Sequence, residues 1–404
     1  MTILVECGSC DPSPIVKLSA RAQAIVPSLI RDASRYCQEL GALNLAQGLP
    51  DFPAPEFMKE AARRAIASDR NQYTDPWGLA ELRAALATKY ARDNAMTVDP
   101  DREVTICCGG TEGLNLALMA LLDPGDEVLI FTPFYENYRP NLATVGARPR
   151  FVALSAPDYV VDEAVLAEGF AGTPPRAVII NTPTNPTGKV WSRTELDLVA
   201  RYCERYDAYA IADEIYEYIL YDGAEHVSIA SLPGMVARTV TVSAFSKTFC
   251  VTGWRLGYVV AQTALTEAIR KLHDFLTICA PAPLQHAALA ALEAGPEYYR
   301  HLRDLYQAKR DLLLPALTRA GFQPLAPVGA YYVWTDARVL GGADAREAAH
   351  LLAHRAGIAA VPGDCFLPEG QANQRLRFCF AKSDRTLEAA CRALERLEVV
   401  GHAR

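Results

Sequence analysis

Five short segments carry residue types that could do chemistry. In SAFSKTFCVTGWRLGY (243–258), Lys247 directly follows an apolar run and is flanked by Ser246 and Thr248, with Arg255 eight residues on. A lysine at the carboxyl end of a buried strand is desolvated, which lowers its pKa from about 10.4 and leaves an amine able to form Schiff bases. Read alone, it would equally suit a solvated turn. Asp213 ends YAIAD and is followed by Glu214 and Tyr216, so an acid and a phenol project from one strand terminus. A buried carboxylate there needs a cationic partner, such as a protonated pyridine nitrogen, unless it simply caps a helix.

The remaining three segments offer donors and cations. GGTEG (109–113) follows an apolar run and opens a helical pattern, where backbone N–H groups and the helix dipole can hold a phosphate. It is neither GxGxxG nor a P-loop, which disfavours a dinucleotide fold; a tight turn would also want its glycines. NTPTNPTG (181–188) surrounds Asn185 with prolines that can fix an amide's orientation, or merely make a turn. In RLRFCF, Arg375 and Arg377 share one face of an alternating strand. A guanidinium at a cleft holds a carboxylate through two parallel hydrogen bonds, and a pair of edge arginines is the plainer alternative.

These segments need strands to position them. EVTICC (103–108), DEVLIF (126–131), RAVIIN (176–181), YAIAD (209–213), RTVTVS (238–243) and RLGYVVA (255–261) are short apolar runs bounded by Gly, Pro, Asn or Asp and read as buried strands. Helical spacing separates most of them, as at Leu114–Leu122 and Ser192–Tyr206. The alternation predicts an α/β fold with a mostly parallel sheet between helix layers. From Leu284 the pattern is long and helical, then ends in a mixed region with GAYYVW and RLRFCF as strands. The expected organisation is a large domain over 51–290 and a small C-terminal domain over 291–404, with residues 1–50 joining the small one.

Composition narrows the function classes. The 404 residues are half hydrophobic and 22% charged, and 40 Lys+Arg against 47 Asp+Glu give a net charge of −7. That balance argues against nucleic-acid backbones and anionic membranes as partners. No apolar run of 18 residues occurs, and MTILVECGSCDPSP lacks the basic and apolar regions of a leader, so the expected location is cytoplasmic. The 11 cysteines are odd in number and scattered, as reduced core thiols are, and the Cys7/Cys10 pair has no second pair or nearby His to make a zinc site. No metal is expected.

Taken together, the order and spacing of GGTEG, NPTNPTG, DEIY, SKTFCVTGWRLGY and RFCF resemble pyridoxal-phosphate (PLP) enzymes of fold type I, specifically class I/II aminotransferases, from about Leu18 to the C-terminus. ALNLAQGLPDFPAP (42–55), NQYTDPWG (71–78) and RFCFAK (377–382) are similar to the branch containing kynurenine aminotransferase, glutamine transaminase K and methionine aminotransferase. The resemblance implies that Lys247 is the Schiff-base lysine and general base, Asp213 the partner of the pyridine nitrogen, and Asn185 and Tyr216 donors to the ring hydroxyl oxygen. It implies a phosphate cup of Gly110, Thr111, Ser246 and Arg255, with Tyr135 stacked on the ring. Tyr73 would reach the phosphate of a neighbouring subunit, implying a homodimer with shared sites. Arg377 would bind the substrate α-carboxylate, helped by Asn185 and the backbone near Gly48.

Two departures from the family pattern bear on specificity. Position 244 is Ala where many relatives carry a phosphate-binding Ser. Dicarboxylate-specific relatives carry a second cation for the side chain, whereas this chain has Thr111 in the Gly-rich loop and no arginine in TICAPAPLQ (277–285). The expected reaction is ping-pong transfer of an amino group from an L-amino acid with a neutral, aromatic or sulfur-containing side chain to a 2-oxo acid. The alternative is a PLP-dependent β-lyase or other eliminating or cyclising enzyme, since both use Lys247, Asp213 and Arg377. A non-catalytic PLP-sensing module is disfavoured, because residues 1–17 are too few for a DNA-binding domain.

Overall fold

The computed structural model describes residues 17–371 and 373–397, so the Cys7/Cys10 pair lies outside the described residues. Strands are numbered in chain order. β1 is Leu43–Asn44, β2 Val104–Cys107, β3 Glu127–Thr132, β4 Arg148–Ala153, β5 Ala177–Asn181, β6 Tyr209–Asp213, β7 Thr239–Ala244 and β8 Gly257–Ala261. In the C-terminal part, β9 is Gln323–Pro324, β10 Tyr332–Asp336, β11 Ile358–Ala359, β12 Val361–Pro362 and β13 Arg375–Cys379.

The strands from β2 to β8 form one seven-stranded sheet in the order β2-β8-β7-β6-β5-β3-β4. β8 alone runs against its neighbours; the other six share one direction. Apolar residues fill successive positions because both faces are covered. Val128, Ile130, Ile179, Ile211 and Val242 pack into one core, while Leu129, Phe131, Val178, Ile180 and Ala212 pack into another on the opposite face. The helix Gly110–Leu121 supplies Leu114, Ala117 and Leu118 to the first core, and the helix Arg193–Tyr206 supplies Leu196, Val199 and Cys203 to the second. A capping box between Ser192 and Glu195 starts the latter helix where the sequence predicts it.

One strand of this sheet is missing from the sequence reading. β4 carries Arg148, Pro149 and Arg150 and lies at the sheet edge beside β3, where one ladder side is open and charge and proline are tolerated. The long helical stretch is also interrupted. Its first helix ends at Leu292 and the next, Pro296–Arg319, starts behind Gly295, because proline lacks the N–H a continuous helix needs and is preset for a first turn.

The C-terminal strands form an antiparallel sheet, β12-β13-β10-β9, and β1 pairs in parallel with β11. Cys379 N–H donates to the Leu45 carbonyl at 2.7 Å, tying the end of β13 to the residue after β1. Among the described residues no helix is long and apolar enough to cross a membrane.

Candidate active site

The carboxyl ends of the six like-directed strands meet at one edge, and the loops leaving them carry the chemistry. Gly110 and Thr111 follow β2, Tyr135 follows β3, Asn185 follows β5, Asp213 ends β6 with Tyr216 just beyond, and Ser246 and Lys247 follow β7. Because β8 is reversed, Arg255, which precedes its first residue, arrives at the same edge. These residues, with Gly48 and Arg377 from the other sheet region, line one cleft of about 510 Å³. Of the residues singled out in the sequence, Arg375, Glu214 and Thr248 do not line this cleft, and neither does Tyr73, which is 75% exposed.

At one end the cleft carries groups that attract negative charge. Among the described residues no side chain caps the helix Gly110–Leu121, which leaves its first N–H groups to an incoming acceptor. Its N-cap Gly109 has φ +83°, and a Cβ there would come within 2.5 Å of Arg255 Nη2, so only glycine lets the guanidinium approach the loop. Arg255 is held by Nη1 donating to the Thr252 carbonyl at 3.0 Å.

In the middle stand an acid and an amine. Burial pushes the Asp213 carboxyl up to about 6, against the opposing hydrogen bond from Tyr138, the Ile215 N–H and the charge of Lys247. The Tyr138 hydroxyl donates to Asp213 Oδ2 at 2.8 Å, and Asn181 Nδ2 donates to the Asp213 main-chain oxygen at 3.0 Å. Burial likewise pulls Lys247 down to about 8, with Arg377 and Arg255 adding to the effect and Cys379 and Asp213 opposing it. Its Nζ donates to the Gly48 carbonyl at 3.1 Å, an oxygen that also accepts from the Tyr331 hydroxyl at 3.1 Å.

At the other end lies Arg377, 1% exposed, with its guanidinium 4.2 Å from the centre of the Tyr332 ring and 4.8 Å from that of Phe366. Nη1 donates to Asn185 Oδ1 at 2.9 Å and Nη2 to the Ala46 carbonyl at 2.8 Å, while the buried Nε has no acceptor among the described residues. Asn185 is fixed in turn by its N–H donating to Asn181 Oδ1 at 2.7 Å. Tyr216 is buried, its hydroxyl 2.9 Å from that of Tyr332.

The sequence reading misses several of these residues. Tyr138 sits three positions after Tyr135, and Tyr331 and Tyr332 stand in GAYYVW; each hydroxyl's role depends on a contact distant in sequence. Glu136 is also missed: it accepts from Ser28 Oγ at 2.7 Å and Leu29 N–H at 2.8 Å, clasping the start of the helix Leu29–Leu40 across the cleft mouth.

The family model "Aminotransferase class I and II" matches residues 41–394. The chain is 34% identical over 389 residues to methionine aminotransferase of Escherichia coli, covering 95% of this chain and 99% of that protein. It is 34% identical to human kynurenine–oxoglutarate transaminase 1, covering 90% of this chain and 94% of that one. The solved structure of N-succinyldiaminopimelate aminotransferase from Mycobacterium tuberculosis superposes with a TM-score of 0.90 at 35% identity, over 94% of this chain and 99% of that chain.

Proposed function

This chain belongs to the class I and II aminotransferases and is a PLP-dependent enzyme, and on that premise we propose that Lys247 is its Schiff-base amine and general base, Asp213 its partner for the pyridine nitrogen and Arg377 its anchor for the substrate α-carboxylate. The observation that carries this division is the convergence of a half-buried lysine, a half-buried aspartate and a buried arginine on a single cleft.

The residues present fit the cofactor. A phosphate suits the uncapped helix start with Thr111, Ser246 and Arg255, a protonated ring nitrogen suits Asp213, and an aldehyde suits Lys247. Bound PLP supplies the aldehyde that takes up the amino group and a ring that withdraws electrons from the substrate α-carbon. The chain's own groups do the rest. Lys247, with a pKa near 8, is partly neutral at physiological pH and can take a proton from the α-carbon and return it elsewhere. Asp213, costly to bury as an anion, gains from any positive partner placed against it. Arg377, with Nε unsatisfied among the described residues and its guanidinium close to the Tyr332 and Phe366 rings, is suited to orient a carboxylate. Asn185 and Tyr216 are assigned to the ring hydroxyl oxygen and Tyr135 to the ring face.

The proposed donors are L-amino acids with neutral, aromatic or sulfur-containing side chains. Thr111 in the Gly-rich loop supports this, as do Ile30, Leu49 and Ile215 in the cleft wall. The relatives named for methionine and kynurenine point the same way. We assign a cytoplasmic homodimer: the nine cysteines among the described residues are all free, as a reducing compartment keeps them, and Tyr73, Phe275, Leu276 and Ile278 expose apolar surface suited to a second copy.

The test is the visible spectrum of the PLP-loaded protein beside Lys247→Ala during titration with a panel of L-amino acids. Loss of the yellow band with neutral donors and its return with a 2-oxo acid is the expected result. A wild type that binds no PLP would overturn the residue assignment, and conversion by acidic donors alone would overturn the substrate class.

A further inference from the structure

Glu112 occupies an unfavourable place for an enzyme that holds a phosphate. It stands in the first turn of the helix Gly110–Leu121, so a negative charge there opposes an anion at the helix start. It is nonetheless held ionised. Burial alone would raise its pKa, but hydrogen bonds from His273, Thr277 and the Cys108 N–H outweigh that and leave the carboxyl below its ordinary range. Those bonds have a geometric product. The main chain at Cys108, which leads into Gly109, is held at both of its flanking peptides: its N–H donates to Glu112 and its carbonyl accepts from Arg255 Nη2 at 3.5 Å.

His273 is fully buried at the end of the helix Thr263–Leu276. Nδ1 lies 3.0 Å from Glu112 Oε1 and Nε2 3.0 Å from the Pro76 carbonyl. Neither oxygen has a proton to give, so both contacts are satisfied only when both ring nitrogens carry protons. The second contact reaches the loop that bears Tyr73.

We propose that His273 is a positioning residue for the cofactor phosphate: as the counter-charge of Glu112, it lets a carboxylate fix the loop beneath Arg255 without repelling the anion bound there. The proposal rests on the reading of Gly110, Thr111, Ser246 and Arg255 as the phosphate cup. It predicts opposite consequences for the two partners. His273→Gln keeps a donor but leaves the carboxylate uncompensated, whereas Glu112→Gln removes the repelling charge itself.

The experiment is equilibrium binding of PLP and of pyridoxal, which lacks the phosphate, to the wild type, His273→Gln, Glu112→Gln and the double variant. For His273→Gln the expected loss is about tenfold for PLP and less than about twofold for pyridoxal, the scale of a nearby charge left unbalanced. Glu112→Gln should hold or raise the preference for PLP, and the double variant should return to within about threefold of the wild type. Equal losses of both ligands in His273→Gln, or no recovery in the double variant, would mean that the pair is only a structural tie. Should His273→Gln fail to fold, Glu112→Gln decides alone, and a fall in its preference for PLP overturns the proposal. A wild type that does not prefer PLP to pyridoxal instead sinks the phosphate-cup reading.

Discussion

The two ends of the cleft are built differently. The end proposed to hold the cofactor is assembled from loops leaving adjacent strands of one sheet, so its geometry follows from strand order and direction. The proposed carboxylate end joins Ala46, Asn185 and Arg377, three points far apart in sequence that the two hydrogen bonds of Arg377 tie together. A site can therefore be half inherited from topology and half dependent on how distant segments meet, and the halves should fail in different ways.

The sharpest test of this contrast removes the amine. Lys247→Ala should lower kcat by about a thousandfold or more, the upper range for loss of a general base, while the cleft still takes up PLP by its other contacts. Single-turnover kinetics with a spectral binding titration checks both parts. Next in size, Arg377→Lys should reduce kcat/KM by about a hundredfold through KM, because one ammonium cannot replace a planar fork, and should leave PLP affinity within about twofold. If PLP affinity falls in parallel, the two ends are not independent.

A smaller effect is expected from Tyr138→Phe. It deletes one hydrogen bond to the ionised form of Asp213, worth about 1.5–3 kcal/mol in a charge-assisted pair, so activity should fall by about tenfold or somewhat more. Because that bond lowers the Asp213 pKa, its loss raises it, and the acid limb of the pH profile should move upward. The smallest effect concerns pH in the wild type. Asp213, raised to about 6, is protonated below that value and cannot serve a cationic partner. Its unfolded carboxyl ionises near 3.8, so as pH rises from about 4 to 6 the folded chain binds more protons than the unfolded one and loses stability. Thermal shifts should therefore show a greater stabilisation by PLP at pH 7 than at pH 5.5. Equal shifts would leave Asp213 without a role at the cofactor end.

The same contrast explains what could be read from the chain. Lys247, Asp213 and Gly110 were legible because each stands at the boundary of an apolar run, where period and punctuation announce a strand end. β4 was not, since edge position permits the very residues, Arg148 and Pro149, that elsewhere deny a strand. Arg377 was legible only as a candidate, because nothing in RLRFCF says that Tyr332 and Phe366 will bury it. Tyr138, Glu136 and the Glu112–His273 pair act through partners that only the fold brings close.

The connection between β7 and β8 carries Ser246, Lys247 and Arg255 within residues 245–256, on a single turn-back of the chain. Amine and anion contact thus travel as one cassette, while the carboxylate anchor resides on a strand more than a hundred residues later. Chimeras that exchange the segment from β9 onward between relatives, with Tyr331 and Tyr332 kept, would swap the proposed substrate anchor and leave in place the residues proposed to seat the cofactor, so recombination at that boundary is a route to altered selectivity without rebuilding the chemistry.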